Sequence, residues 1–225
     1  VMGNGGVSLE GHAHYPSYLR YCVGLDSKYL RDSGGSLPAS VWDQVEQHLQ
    51  RKNCVGIKLY PGYNPWYITD PMYGPCYELA AAYGKPVAVH TGETAGTGAV
   101  LKYSHPLTID EAAVLHPGVR FVMCHFGNPW LPDAACTVRK NENVSADLSG
   151  LLEGRIVVDT FFKEQKGYTE YLRTWISYMG DYSRLMYGTD WPLANLEDYI
   201  RFTERLIPER HWEAVFAGNA ERIYK

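Results

Sequence analysis

Residues 86–94 read PVAVHTGET. Pro86 opens a run of three apolar residues, His90 closes it, and Thr91 and Gly92 follow at once. A short apolar run stopped by a polar residue and a glycine predicts a buried strand whose last side chain faces a pocket. The pattern recurs along the chain. YCVGLD (21–26) and CVGIKLY (54–60) come before it; VRFVMCHFG (119–127), the weaker NVSADLSG (143–150) and RLMYGTD (184–190) come after.

Helical stretches fill the gaps. SVWDQVEQHLQRK (40–52) carries Val41, Val45 and Leu49 at helical spacing behind Ser40 as a cap. PMYGPCYELAAAYGK (71–85) holds a helix ending near Gly84, and TIDEAAVLHPG (108–118) opens on a Thr–Ile–Asp–Glu cap pattern and stops at Pro117. YTEYLRTWISYMG (168–180), LEDYIRFTERLI (196–207) and ERHWEAVFAGNAERIYK (209–225) complete the set. Strict alternation of apolar strands with helices predicts a parallel α/β sheet buried on both faces. A doubly wound open sheet and a barrel both fit. Neither GxGxxG nor GxxxxGK[ST] occurs, so a nucleotide-binding open sheet has no support. No linker or internal repeat divides the chain, and a single domain over residues 1–225 is expected, with 1–20 an irregular lead-in.

The chain has 225 residues, 45% hydrophobic and 20% charged, with a net charge of −4. That balance gives no reason to expect nucleic acid or an anionic membrane as partner, and leaves a small-molecule substrate. No stretch approaches the roughly 20 apolar residues that span a bilayer. The opening VMGNGGVSLEG lacks the basic and apolar regions of a signal peptide. Five cysteines without a CxxC pair read as reduced, structural thiols in a cytoplasmic setting. Of the 18 tyrosines and 6 tryptophans, several flank the strand-end turns, where rings can line a pocket; ordinary packing is the plainer account of any one of them.

Parallel α/β folds collect their chemistry at the C-terminal ends of the strands. Here those ends carry Asp26, then Lys58 and Tyr60, His90, His125, Asp147 with Ser149, and Asp190. Two histidines and an aspartate at three separate strand ends suit a divalent metal, since neutral imidazole and carboxylate are ligands for such ions. Any one of them alone reads equally well as a hydrogen-bonded strand-end side chain.

VGIKLYPGY, GKPVAVHTGE, HPGVRFVMCHFG, NVSADLSG, RLMYGTDWP and VFAGNAERIY, in this order, make the chain resemble the amidohydrolase superfamily, and within it the amidohydrolase-2 group of metal-dependent hydrolases and decarboxylases. The resemblance implies a distorted TIM-type (β/α) barrel. It matches His90 to the fifth-strand metal histidine, His125 to the sixth-strand histidine that acts on substrate or water, and Asp190 to the eighth-strand aspartate that binds the metal. The family's first strand carries an HxH pair, and GHAHYP offers His12 and His14. Only six residues separate His14 from YCVGLD, which matches the family's third strand, whereas a crossover needs a dozen or more. Residues 1–20 therefore read as a lead-in, His12 and His14 as non-ligands, and the first two barrel strands as absent from this chain. The uncovered edge predicts a homo-oligomer.

Three functions follow as expectations. The first is a metal-dependent hydrolase cleaving a small carboxylate-bearing amide, ester or lactone. Zinc is the first choice of ion, held by His90 and Asp190. His125 and Asp190 act on the reacting groups, and Lys58, Tyr60 and Glu93 bind substrate. Lys58 has two further readings, a carbamylated metal bridge and, with more weight, a pair with a carboxylate such as Asp26. The second function is metal-dependent decarboxylation of a hydroxy-aromatic or related acid. The third, from another class, is a catalytically incomplete homologue with a structural or ligand-binding role.

Overall fold

The computed structural model describes residues 1–3, 6–13 and 15–225; His14 lies outside the described residues. Six parallel strands, β1 (Tyr21–Gly24), β2 (Cys54–Leu59), β3 (Val87–Val89), β4 (Phe121–Met123), β5 (Val144–Asp147) and β6 (Leu185–Met186), form one sheet in sequential order. The helices are α1 (Ser27–Asp32), α2 (Ala39–Leu49), α3 (Gly74–Ala82), α4 (Leu107–Leu115), α5 (Leu131–Lys140), α6 (Val158–Glu164), α7 (Lys166–Met179), α8 (Leu196–Leu206) and α9 (Asn219–Ile223). Sequential order is the winding of a barrel: crossovers of one hand, never reversing, keep their helices on one face. A doubly wound sheet reverses direction and covers both faces with its crossovers.

The strands do alternate, but by size rather than polarity. Val23, Ile57, Leu59, Val87, Val89, Phe121, Met123, Val144 and Leu185 point to one face and pack with Val45, Leu49, Ile109, Val138, Ile176 and Phe202 of the helices. The opposite face carries smaller or polar residues. Its apolar part, Ala88, Val122, Cys124 and Met186, is covered by Ile223, Ala220 and Tyr224 from α9 and its C-terminal end. Both faces are thus buried, as a parallel sheet requires.

Two details depart from the sequence reading. The lead-in is not wholly irregular: Met2 bridges Cys22 in parallel, with the Gly3 N–H donating to the Cys22 carbonyl at 3.0 Å and the Cys22 N–H to the Val1 carbonyl at 2.9 Å. Val1–Gly3 therefore lies along the β1 edge that was expected to be bare. Asp26 is a helix N-cap, its Oδ1 accepting from the N–H groups of Lys28 (2.7 Å) and Tyr29 (3.0 Å), so it is not the Lys58 partner. All five cysteines are free, and four are buried. Among the described residues no helix is long and apolar enough to cross a membrane.

His12 and His48 sit in an aromatic cluster with Tyr15 and Tyr21. His48 is fully buried. Its Nε2 donates to the Val7 carbonyl at 3.1 Å, and its Nδ1 accepts from the Tyr21 hydroxyl at 2.8 Å. That pairing suits only the neutral ring, and burial pushes the His48 pKa down to about 4. The unfolded chain binds this proton near pH 6.5, so between those values the unfolded state holds more protons and stability rises with pH. The unfolding free energy from urea titrations should fall as pH drops from 6.5 towards 4, by up to about 3 kcal/mol for this group. The His48→Gln variant should show a flatter profile over that window.

Candidate functional site

The polar strand ends meet at one end of the sheet, around a cavity of about 1090 Å³. Lys58 lies near the end of β2 and Tyr60 directly after it, His90 comes directly after β3, Cys124 and His125 after β4, Asp147 ends β5, and Asp190 lies on the loop after β6; all of them line the cavity. His90 and His125 are separated by 35 positions, yet His125 Nε2 lies 3.1 Å from His90 Nδ1. Asp190 is drawn in from the far side of the sheet, and its carboxylate adjoins Gly150 beside the His125 ring.

Two of these residues reach the cavity by leaving strand geometry. His125 has φ of 65° and Asp190 has φ of 55°, both in the left-handed region that side chains rarely adopt. The strain re-aims each side chain at the point where its strand stops. Gly150 makes the room: at its φ of +65°, a Cβ would lie 2.7 Å from His125 Nδ1 and 3.4 Å from Asp190 Oδ2.

A carboxylate holds the turn in place. Asp147 Oδ1 accepts from the His125 N–H at 3.1 Å, the Ser149 N–H at 3.0 Å and the Ser149 hydroxyl. His125 Nδ1 in turn lies 3.1 Å from the Ser149 carbonyl and 2.9 Å from Ser149 Oγ. His90 Nε2 is buried and has no hydrogen-bond partner among the described residues. Burial, then electrostatic repulsion of a second proton's charge by His125 and Lys58, holds the His90 pKa well below the usual histidine range. Burial also lowers that of His125, although Asp147 and Asp190 oppose it. Both imidazoles are neutral at pH 7.

Lys58 is 2% exposed, and its Nζ donates to Cys124 Sγ at 2.9 Å and stands 4.9 Å from the centre of the Tyr60 ring. Burial opposes the ammonium, but Cys124, Tyr60 and Asp147 outweigh it and leave the pKa raised. The Tyr60 phenol, pushed up to about 12 by burial, donates to the Gly3 carbonyl at 3.0 Å. Tyr63 lies against His90, ring centres 4.9 Å apart, and with Tyr60, Tyr187 and Trp191 gives the cavity an aromatic wall.

Of the residues expected from sequence, His90, His125, Asp190, Lys58 and Tyr60 are brought together. Glu93 is not: it is exposed and absent from the cavity lining, because the chain turns away at Gly92 and the Glu93 N–H pairs with the Asn128 carbonyl at 2.9 Å. His12 does not line the cavity either; its Nδ1 lies 2.8 Å from the Ser8 carbonyl. Asp147 and Ser149 are more central than their strand-end position suggested, and Tyr63 was missed, since nothing in YPGYNPW marks a ring that folds back on His90. Among the described residues, no three His, Cys, Asp or Glu side chains are grouped to hold a metal ion.

Sequential winding and a polar cluster at the C-terminal strand ends define a TIM-barrel type of α/β protein. The chain belongs to the amidohydrolase family, whose model matches residues 32–225. Among solved structures it is similar to 5-carboxyvanillate decarboxylase from Sphingomonas paucimobilis, at 17% identity and a TM-score of 0.64, covering 96% of this chain and 69% of that one. A dihydroxybenzoic acid decarboxylase from Polaromonas sp. JS666, with bound manganese and the inhibitor 2-nitroresorcinol, matches at 16% identity and a TM-score of 0.61, covering 96% and 71%. A probable 2-pyrone-4,6-dicarboxylic acid hydrolase from Acinetobacter baumannii, with citric acid bound, matches at 14% identity and a TM-score of 0.62, covering 99% and 81%. At these identities the likeness is one of fold, and this chain spans about two thirds to four fifths of their lengths. No curated protein sequence matches.

The HTG turn gives a direct test of the local geometry. Gly92 has φ of +88°, and a Cβ there would lie 2.2 Å from the Asn128 carbonyl oxygen. Gly92→Ala should cost at least about 2 kcal/mol through the overlap and the left-handed backbone. Thermal unfolding should show it as a midpoint lowered by about 4 °C or more. An unchanged midpoint would mean that the 92–93 and 128 backbones do not meet.

Proposed function

We propose that this chain is a metal-dependent hydrolase acting on a small carboxylate-bearing amide, ester or lactone. The observation that carries the reading is the neutral His90–His125 pair, His90 buried and His125 half-buried, beside the Asp190 carboxylate. Neutral imidazoles at pH 7 are poised to take up a proton rather than give one, which suits activation of a water. The Lys58 ammonium below them is a fixed partner for a substrate carboxylate.

The residues fit a divalent ion through one atom in particular. A buried imidazole nitrogen without a partner costs about 1–3 kcal/mol, and among the described residues His90 Nε2 is such an atom. His90 Nε2 and the Asp190 carboxylate would hold the ion, a neutral nitrogen and a hard oxygen suited to manganese or zinc. When bound, the ion supplies positive charge to polarise a carbonyl or carboxylate of the substrate. His125 moves the proton, Lys58 orients the carboxylate, and Tyr60, Tyr63, Tyr187 and Trp191 exclude water from a flat substrate.

A second reading, decarboxylation of a hydroxy-aromatic acid, is favoured by that aromatic wall and by the decarboxylases among the similar structures. One experiment separates the readings. The purified chain, supplemented with manganese or zinc, is offered carboxylate-bearing lactones, amides and esters alongside hydroxybenzoates, and both acid release and CO₂ are measured. Acid without CO₂ is expected. CO₂ from a hydroxybenzoate would establish the second reading. No turnover and no metal uptake would leave a catalytically incomplete homologue. For a turned-over substrate, His125→Gln should lower kcat by about 10²-fold or more. Asp190→Ala should remove most of the bound metal, whereas His12→Ala should leave it unchanged.

A further inference from the structure

We propose that Asp147 is a positioning residue that sets where the protons sit in the His90–His125 pair. Ser149 has one hydroxyl proton, and it goes to Asp147 Oδ1, which also accepts from the His125 and Ser149 N–H groups. Ser149 Oγ therefore shows only lone pairs to His125 Nδ1, 2.9 Å away. The Ser149 carbonyl, 3.1 Å from the same nitrogen, can only accept. His125 Nδ1 must carry the proton of the neutral ring, and its Nε2 must be bare. That bare nitrogen faces His90 Nδ1 at 3.1 Å, so His90 Nδ1 carries a proton and donates it. His90 Nε2 is then left as a lone pair, in agreement with its having no partner among the described residues. A choice made at one serine hydroxyl passes through two rings to the atom that meets the cavity.

Without the Asp147 carboxylate the hydroxyl is free to donate to His125 Nδ1. That reverses both rings and puts a proton on His90 Nε2. The carboxamide of asparagine still offers an oxygen to the serine, so Asp147→Asn should behave like the wild type. Removing the hydroxyl as well, in Asp147→Ala/Ser149→Ala, leaves only the carbonyl facing His125 Nδ1 and should restore the original proton positions. Simple damage to the fold would not be repaired by a second truncation.

The proton positions stand on geometry alone; their effect on metal affinity rests on the reading of His90 as a ligand. Long-range ¹H–¹⁵N correlation spectra of ¹⁵N-histidine-labelled protein at pH 7.5, without added metal, read them directly. The two rings are assigned from His90→Gln and His125→Gln spectra. In the wild type both rings should show protonated Nδ1 and bare Nε2. Asp147→Ala should move at least half of the His90 population to Nε2–H, and the double variant should return it. A wild-type ring protonated on Nε2 overturns the proposal before any variant is made. An unshifted Asp147→Ala, or a double variant that is not restored, overturns it too. Calorimetric titration with manganese should then show about 10-fold weaker binding or more for Asp147→Ala. If the spectra are as expected and the wild type binds neither manganese nor zinc, the ligand reading falls and the role of Asp147 stands.

Discussion

Side chains alternate across a strand, and six parallel strands in sequential order turn that alternation into two continuous faces. Everything else depends on how the residues are divided between them. The large β-branched and aromatic side chains point at the helices and form the main core. The other face receives cysteine, alanine, glycine and a few polar groups, and small side chains leave space. That space is the cavity. Lys58, His90, Cys124 and Asp147 all belong to the smaller face, near the C-terminal ends of β2, β3, β4 and β5. They meet because the ladder brings successive strand ends together, not because any local motif does.

Burial then decides their chemistry. Desolvation disfavours charge, so the two imidazoles stay neutral and the Cys124 thiol keeps its proton. Lys58 keeps its charge against the same penalty because Cys124, Tyr60 and Asp147 surround it. The site thus combines one buried cation, one buried carboxylate and two bases. The backbone costs that accompany it are confined to the turns beyond the strands. Left-handed conformations at His125 and Asp190 each cost on the order of 1–3 kcal/mol, and the bonds onto Asp147 help offset the first.

Much of this was legible in the sequence, and the limits have physical causes. Strand cores announce themselves through apolar runs with polar ends, which is why His90, His125 and Asp190 could be grouped across 100 positions. Size alternation was harder to see, because alanine and cysteine count as apolar and hide which face is thin. Glu93 was misassigned because nearness in sequence to a strand end does not say where a side chain goes, and Asp26, though it lines the cavity, is not the partner of Lys58. Asp26 turns back to cap the short α1, and Gly92 swings Glu93 outward. Asp147 was underweighted for the opposite reason. Its importance lies in three donors from residues 125 and 149, and a sequence does not display donors.

The smaller face also sets the depth of the cavity. Below the polar ring, Ala88, Val122 and Met186 are covered by Ile223, Ala220 and Tyr224, so the floor is apolar and closed by the C-terminal helix. The Tyr224 hydroxyl interrupts it, buried and without a partner among the described residues. Its pKa is pushed well above the tyrosine range, first by burial and then by Cys22, Cys124 and Asp147, so it stays a neutral donor. A polar ring above an apolar floor orients a small molecule with a charged end and a flat body. The charged end belongs with Lys58 and the histidines, where protein groups have already replaced water. The body belongs against the tyrosines. The same division by size that made the cavity therefore gives it a direction.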